Sequence, residues 1–171
     1  DIHTLQSVNP AMMDLRKQNR QGNRQARHII LFAKNQMGLR NLYQLISLSN
    51  LEYFKRQPRM PKSEILRLRE GLIIGSACEA GELYQAIISE RSDAEIARIV
   101  EFYDYLEIQP TGNNEFMITK NDGEYENINS YADIESINRM IINLGDELGK
   151  KTVATGDVHF LDKNDAKYRA I

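Results

Sequence analysis

The stretch Val153-Ala154-Thr155-Gly156-Asp157-Val158-His159-Phe160-Leu161-Asp162 decides how the rest of the chain is read. Its first half is apolar and small, and Lys151 to Thr155 reads as a strand. Side chains alternate along an extended chain, so residues two apart share a side. At the carboxyl end of such a strand, Asp157 and His159 aim a carboxylate and an imidazole into one space. Oxygen and nitrogen donors of this kind suit zinc, manganese or iron. The same pair also reads as a helix cap and a loop histidine, so its meaning depends on the rest of the chain.

Working outward, a second organised stretch is Arg27-His28-Ile29-Ile30-Leu31-Phe32-Ala33. Its apolar run after His28 reads as a buried strand of a parallel sheet. Leu39, Leu42, Leu45 and Ile46 follow at helical spacing, with Leu48, Leu51 and Phe54 extending the face. Pro58 and Pro61 interrupt a basic loop from Lys55 to Pro61. A short helix and Gly71 come next, then a short strand from Leu72 to Ile74. Gly75, Ser76 and Ala77 let the backbone turn closely, and Cys78 follows at another strand end. The dipole of the next helix would favour its thiolate. A cysteine nucleophile is a competing reading, which needs a histidine close by.

Ser92-Asp93-Ala94-Glu95 predicts a capping box at the start of a helix. Residues 104–110 alternate polar and apolar, which predicts a strand with Glu107 and Gln109 on one face. Glu107 is thereby a candidate for a supporting carboxylate behind a metal ligand. Residues 111–130 read as a long excursion anchored by Phe116, Met117 and Ile118. A helix from Tyr131 to Gly149 turns Ile134, Ile137, Ile141, Leu144 and Leu148 inward, with Lys150 and Lys151 favouring its negative end. A final helix begins near Asp162 and includes Ala166, Tyr168 and Ile171.

The alternation of strands and helices predicts an α/β fold, with helices outside a mostly parallel sheet or barrel. With 171 residues, 42% hydrophobic and 27% charged, the chain has the profile of a globular domain with a proper core. Its net charge of −2 gives no global case for nucleic-acid binding. One cysteine excludes an internal disulfide and is compatible with a reducing compartment. No apolar run approaches the ~20 residues of a membrane span, so a membrane partner is not expected. There is no signal-peptide pattern. The chain opens at Asp1 without methionine, as expected of a piece of a longer protein. Residues 1–26 read as a polar linker, and the five basic residues from Arg16 to Arg27 as solvating charge or a nucleic-acid arm. Nothing near His3 recommends it as a ligand.

Five segments resemble one family. They are RHIILFAKNQMGLRNLYQLIS at Arg27–Ser47, YFKRQPRMPKS at Tyr53–Ser63, IGSACEAGEL at Ile74–Leu83, FYDYLEIQP at Phe102–Pro110 and ATGDVHFLD at Ala154–Asp162. Together they resemble the polymerase-and-histidinol-phosphatase (PHP) domain, in the version carried by PolC-type DNA polymerase III alpha subunits.

The resemblance implies a distorted (β/α)7 barrel with a metal centre at the strand carboxyl ends, so this chain would form a partial barrel. It implies His28, Cys78, Asp157 and His159 as metal ligands. Glu107 has no motif-based claim to be a ligand. Zinc or manganese would occupy the centre, and magnesium would serve the parent polymerase. DNA, deoxynucleoside triphosphates and the rest of the polymerase chain would be the partners, in the cytoplasm. A second copy of the chain is a further candidate partner, covering exposed strand edges.

The family's opening H-x-H and paired glutamates are absent, and so are the acidic residues of exonuclease and polymerase centres. In this family the 3'-5' proofreading exonuclease interrupts the PHP domain. The chain therefore resembles the part after that insertion, with residues 1–26 as linker and 27–171 as the C-terminal part of the domain. Half a metal centre and no catalysis by the chain alone are the expectation. The alternative, a stand-alone phosphoesterase of histidinol-phosphatase type, requires the missing H-x-H.

Overall fold

Two asparagines and two glycines tie the first part of the fold together. The computed structural model describes residues 26–120 and 125–169. The chain divides into a unit up to Gly75 and a unit from Ser76. In the first, β1 (Ile30–Ala33) leads to α1 (Gln36–Leu51), α2 (Lys62–Arg67) and β2 (Leu72–Gly75). Asn35 caps α1, its Oδ1 accepting from the Gly38 N–H at 2.9 Å. Asn41, buried on the same helix, donates from Nδ2 to the Glu70 carbonyl at 2.8 Å. The Lys34 N–H donates to the Gly71 carbonyl at 2.8 Å. Gly71 has φ 72, the left-handed region that costs glycine nothing. Gly38 lies so close to it that a Cβ there would fall on the Gly71 carbonyl oxygen.

Two expectations for this unit are corrected. β1 does not run parallel to its partner. It pairs antiparallel with β2, Ile30 opposite Gly75 and Ala33 opposite Leu72. The two intervening helices return the chain from the opposite direction, which an apolar run cannot encode. Nor is β1 buried throughout, because Phe32 and Ala33 are exposed. On α1, Leu45 is buried and Leu39, Leu42 and Leu48 are half-buried, but Ile46, Leu51 and Phe54 lie in the open. The true stripe is narrower than the sequence suggested.

The second unit begins with α3 (Glu82–Ile88) and α4 (Asp93–Phe102), which lead into β3 (Tyr105–Ile108). A 3-10 turn at Thr111–Asn114 and the short α5 (Phe116–Thr119) follow. Next come α6 (Tyr131–Glu147), β4 (Lys151–Ala154), a 3-10 turn at Lys163–Asp165 and α7 (Ala166–Arg169). The expected capping box forms at Ser92: the Glu95 carboxylate accepts from the Ser92 N–H at 3.3 Å and its Oγ–H at 2.9 Å. β3 and β4 pair in parallel, Tyr105 opposite Lys151 and Ile108 opposite Ala154. A parallel pair needs a crossover, and α6 packs against both strands. Ile134 and Ile141 are buried on its inner side, as the periodicity predicts.

Other details depart from expectation. Of the three expected anchors of the excursion, Met117 is buried and Ile118 half-buried, while Phe116 is exposed and meets Tyr125 edge-on, ring centres 5.8 Å apart. Leu148 is exposed. Lys150 does not serve the end of α6: its ammonium donates to the Tyr103 carbonyl at 2.6 Å and the Glu101 carbonyl at 3.4 Å, at the end of α4. Those carbonyls have no helical partners, so a cation there satisfies them. The chain is mixed α/β, as its alternating pattern predicts. Among the described residues no helix is long and apolar enough to cross a membrane. The linker, the basic residues before Ala26, His3 and Ile171 lie outside the described residues.

Candidate metal centre

Three chain segments of the second unit form the candidate site: Ser76–Glu79, Glu107–Gln109 and Thr155–His159. A buried carboxylate joins them. Glu107 is 8% exposed. Its Oε1 accepts from the Thr155 hydroxyl at 2.7 Å and from the Gln109 amide at 3.3 Å. Its own N–H donates to the Ser76 hydroxyl at 2.9 Å. The Thr155 N–H continues the ladder to the Ile108 carbonyl at 3.0 Å. A buried carboxylate is tolerated when hydrogen bonds replace its water. Here those bonds fix the strand end from which the loop with Asp157 and His159 departs. Asn113 holds the other side, its Nδ2 donating to the Gly156 carbonyl at 2.9 Å. Sequence alternation correctly placed Glu107 and Gln109 together. The contribution of Ser76, Asn113 and Thr155 was missed, and the small polar residues flanking each strand end were the available signal.

Asp157 adopts φ 48, a left-handed backbone rare outside glycine. Its side chain and that of His159 are both well exposed, with Asp157 Oδ1 3.8 Å from His159 Nδ1. The His159 Nδ1 lies 2.6 Å from the Asp157 carbonyl oxygen. A carbonyl can only accept, so Nδ1 must hold the proton in this bond. The neutral ring then keeps Nε2 as its open lone pair, the arrangement that orients metal-binding imidazoles.

Cys78 is half-buried beside this loop. Burial pushes its thiol up from the ordinary 9.0 to about 11. The Ala80 N–H opposes that rise, and the Glu79 and Asp157 carboxylates add to it. This corrects the expectation that a helix dipole favours the thiolate: α3 starts only at Glu82, and desolvation beside two carboxylates outweighs it. The shift also weighs against Cys78 as a nucleophile. At a pH near neutral, alkylation of Cys78 by iodoacetamide should run about 100-fold slower than that of an ordinary exposed cysteine, because thiolate is scarcer by the same factor. Timed thiol labelling checks this, and labelling at the ordinary rate would show that the thiol is not held protonated.

His28 is exposed and lies two residues before β1, in the first unit. The thiol, carboxylate and imidazole donors are the chemistry zinc takes, and a divalent cation would offset the burial and the nearby carboxylates that keep the thiol protonated. Among the described residues, no three His, Cys, Asp or Glu side chains come together in an arrangement that could hold an ion.

The chain is mixed α/β, and its thiol, carboxylate and imidazole groups stand on loops that follow strand ends. The pattern of the PHP domain matches residues 7–111, and the chain belongs to that family. It is 48% identical over its whole length to the DNA polymerase III PolC-type of Clostridium perfringens, covering 11% of that protein. It is 52% identical to that of Caldanaerobacter subterraneus over 75% of the chain and 9% of the relative. It is 37% identical to that of Streptococcus sanguinis over 99% of the chain and 11% of the relative. The chain thus spans about a tenth of the length of these relatives.

Proposed function

We propose that this chain is the C-terminal part of the PHP domain of a replicative, PolC-type DNA polymerase. It would follow an inserted proofreading exonuclease through the linker at residues 1–26, with residues 27–171 completing a (β/α)7 barrel in the longer protein. That protein would copy DNA from deoxynucleoside triphosphates with magnesium, in the cytoplasm. The observation that carries this reading is the match of the whole chain, end to end, to about a tenth of a PolC-type polymerase.

Within that protein, Cys78, Asp157, His159 and His28 would hold zinc or manganese together with residues outside this chain. A metal so bound lowers the pKa of its water and clamps a phosphate. This chain's own contribution is positional: Glu107 and Thr155 fix the strand end, and the Asp157 carbonyl orients His159. Catalysis by the chain alone is not expected.

Metal retained by the longer polymerase after dialysis tests the reading. Zinc or manganese should be present, and its affinity should fall about tenfold or more in His159→Ala and in Asp157→Asn. Unchanged metal content in both variants, measured by elemental mass spectrometry, would remove these side chains from the site.

A further inference from the structure

One buried side chain on α3 has a chemistry that packing alone does not require. Leu83, Tyr84, Gln85, Ala86 and Ile87 are all buried on this helix. Four of them fill space with aliphatic or aromatic groups, and Gln85 alone buries an amide, at 7% exposure. Burying an amide is unfavourable unless a hydrogen bond replaces its water. The bond Gln85 makes reaches back to the loop before the helix, its Nε2 donating to the Glu79 carbonyl at 2.9 Å.

That loop, from Ser76 to Gly81, carries Cys78 and is tied down on both sides. The Ser76 N–H donates to the Tyr105 carbonyl at 3.3 Å, and the Ser76 hydroxyl accepts from the Glu107 N–H at 2.9 Å, which fastens its start to β3. Ala77 follows, buried and at φ 61, a left-handed backbone that is strained for a residue with a Cβ. The Gly81 N–H closes the loop on the Cys78 carbonyl at 2.9 Å, and a Cβ on Gly81 would fall on the Ser76 carbonyl oxygen. The Ala80 N–H bonds the Cys78 sulfur. Of the four non-glycine residues with left-handed backbone among the described residues, Ala77 adjoins one candidate donor and Asp157 is another.

We propose that Gln85 is a positioning residue for Cys78: by holding the Glu79 carbonyl, it sets the Ser76–Gly81 loop in the conformation that presents the thiol to the metal centre. This role rests on Cys78 being a metal ligand, as proposed above. A buried amide bonded to a loop carbonyl specifies one loop conformation, whereas an apolar side chain of the same volume fills the space without choosing among several. Metal ligands must fall within about 0.2 Å of their ideal distances, so a loop free to shift presents its thiol poorly.

Cobalt, which takes zinc's ligands and gives an absorption band when bound to sulfur, tests this in the longer polymerase stripped of metal. The wild type should show the sulfur–cobalt band. Gln85→Met keeps the volume and loses the donor. It should bind cobalt about tenfold more weakly, with a weaker band per bound cobalt. His159→Ala should also weaken binding but keep the band, because its sulfur ligand stays in place. Ala77→Gly frees the same loop without touching α3, so it should reproduce the loss, and it decides the matter if Gln85→Met melts early. Wild-type affinity and band in both loop variants would overturn the positioning role and leave the metal centre standing. Absence of the sulfur–cobalt band in the wild type would instead remove Cys78 from the centre, and the role of Gln85 with it.

Discussion

Gly38→Ala is expected to cost the first unit about 3 kcal/mol, at the upper end of what overpacking does. The added methyl would land on the Gly71 carbonyl oxygen, which is backbone and can shift only by moving its turn. That carbonyl also accepts from Lys34, and the neighbouring Glu70 carbonyl accepts from Asn41. Pushing the Gly71 turn away from α1 therefore breaks the bonds that join β1, α1 and β2. Gly71 cannot relax toward an ordinary conformation without losing the same turn, since its φ is already 72. A urea titration followed by circular dichroism measures the loss. Gly112→Ala is the control: nothing lies within 4 Å of a Cβ there, and its midpoint should barely move. Equal midpoints for the two variants would show that the α1–Gly71 contact is looser than described.

Glu107→Ala is expected to cost about 2–4 kcal/mol and to misplace the loop that ends at His159. Truncation leaves the Thr155 hydroxyl and the Gln109 amide without their acceptor beside a new cavity. Each buried donor left unpaired costs about 1–3 kcal/mol. Glu107→Gln keeps an acceptor oxygen for Thr155 and should cost about 1 kcal/mol. Thermal unfolding of both variants, with metal affinity measured in the longer polymerase, separates stability from positioning. If the carboxylate acts through Thr155, Thr155→Ser retains affinity and Thr155→Val lowers it. Equal behaviour of the serine and valine variants would show that the hydroxyl positions nothing.

These two sites also mark how far the amino-acid sequence alone carries. The inner residues of α6 and the Ser92 capping box were legible because their causes lie within a few residues of one another. Alternation placed Glu107 beside Gln109 for the same reason. Its acceptor role toward Thr155, 48 residues away, has no local signature. The direction of β1 failed on similar grounds: the run from Ile29 to Ala33 is equally apolar beside a parallel or an antiparallel neighbour. The Gly38–Gly71 contact was invisible because two glycines reveal their closeness only once the chain has folded back. The thiolate expected at Cys78 was wrong for a different reason. A helix end was weighed, but the burial and the carboxylates around the thiol could not be.

The left-handed backbone at Asp157 restricts which residues can stand there. Glycine, asparagine and aspartate tolerate that conformation best, because their side chains are absent or short and can bond locally. Of those three only aspartate offers a negative charge. Shape thus narrows the alphabet at this position before any ligand does, and electrostatics then selects a single letter. An alanine scan across the loop would change both constraints at once at Asp157, whereas asparagine changes one. Any family member that places glycine at this position would keep the turn and lose the carboxylate.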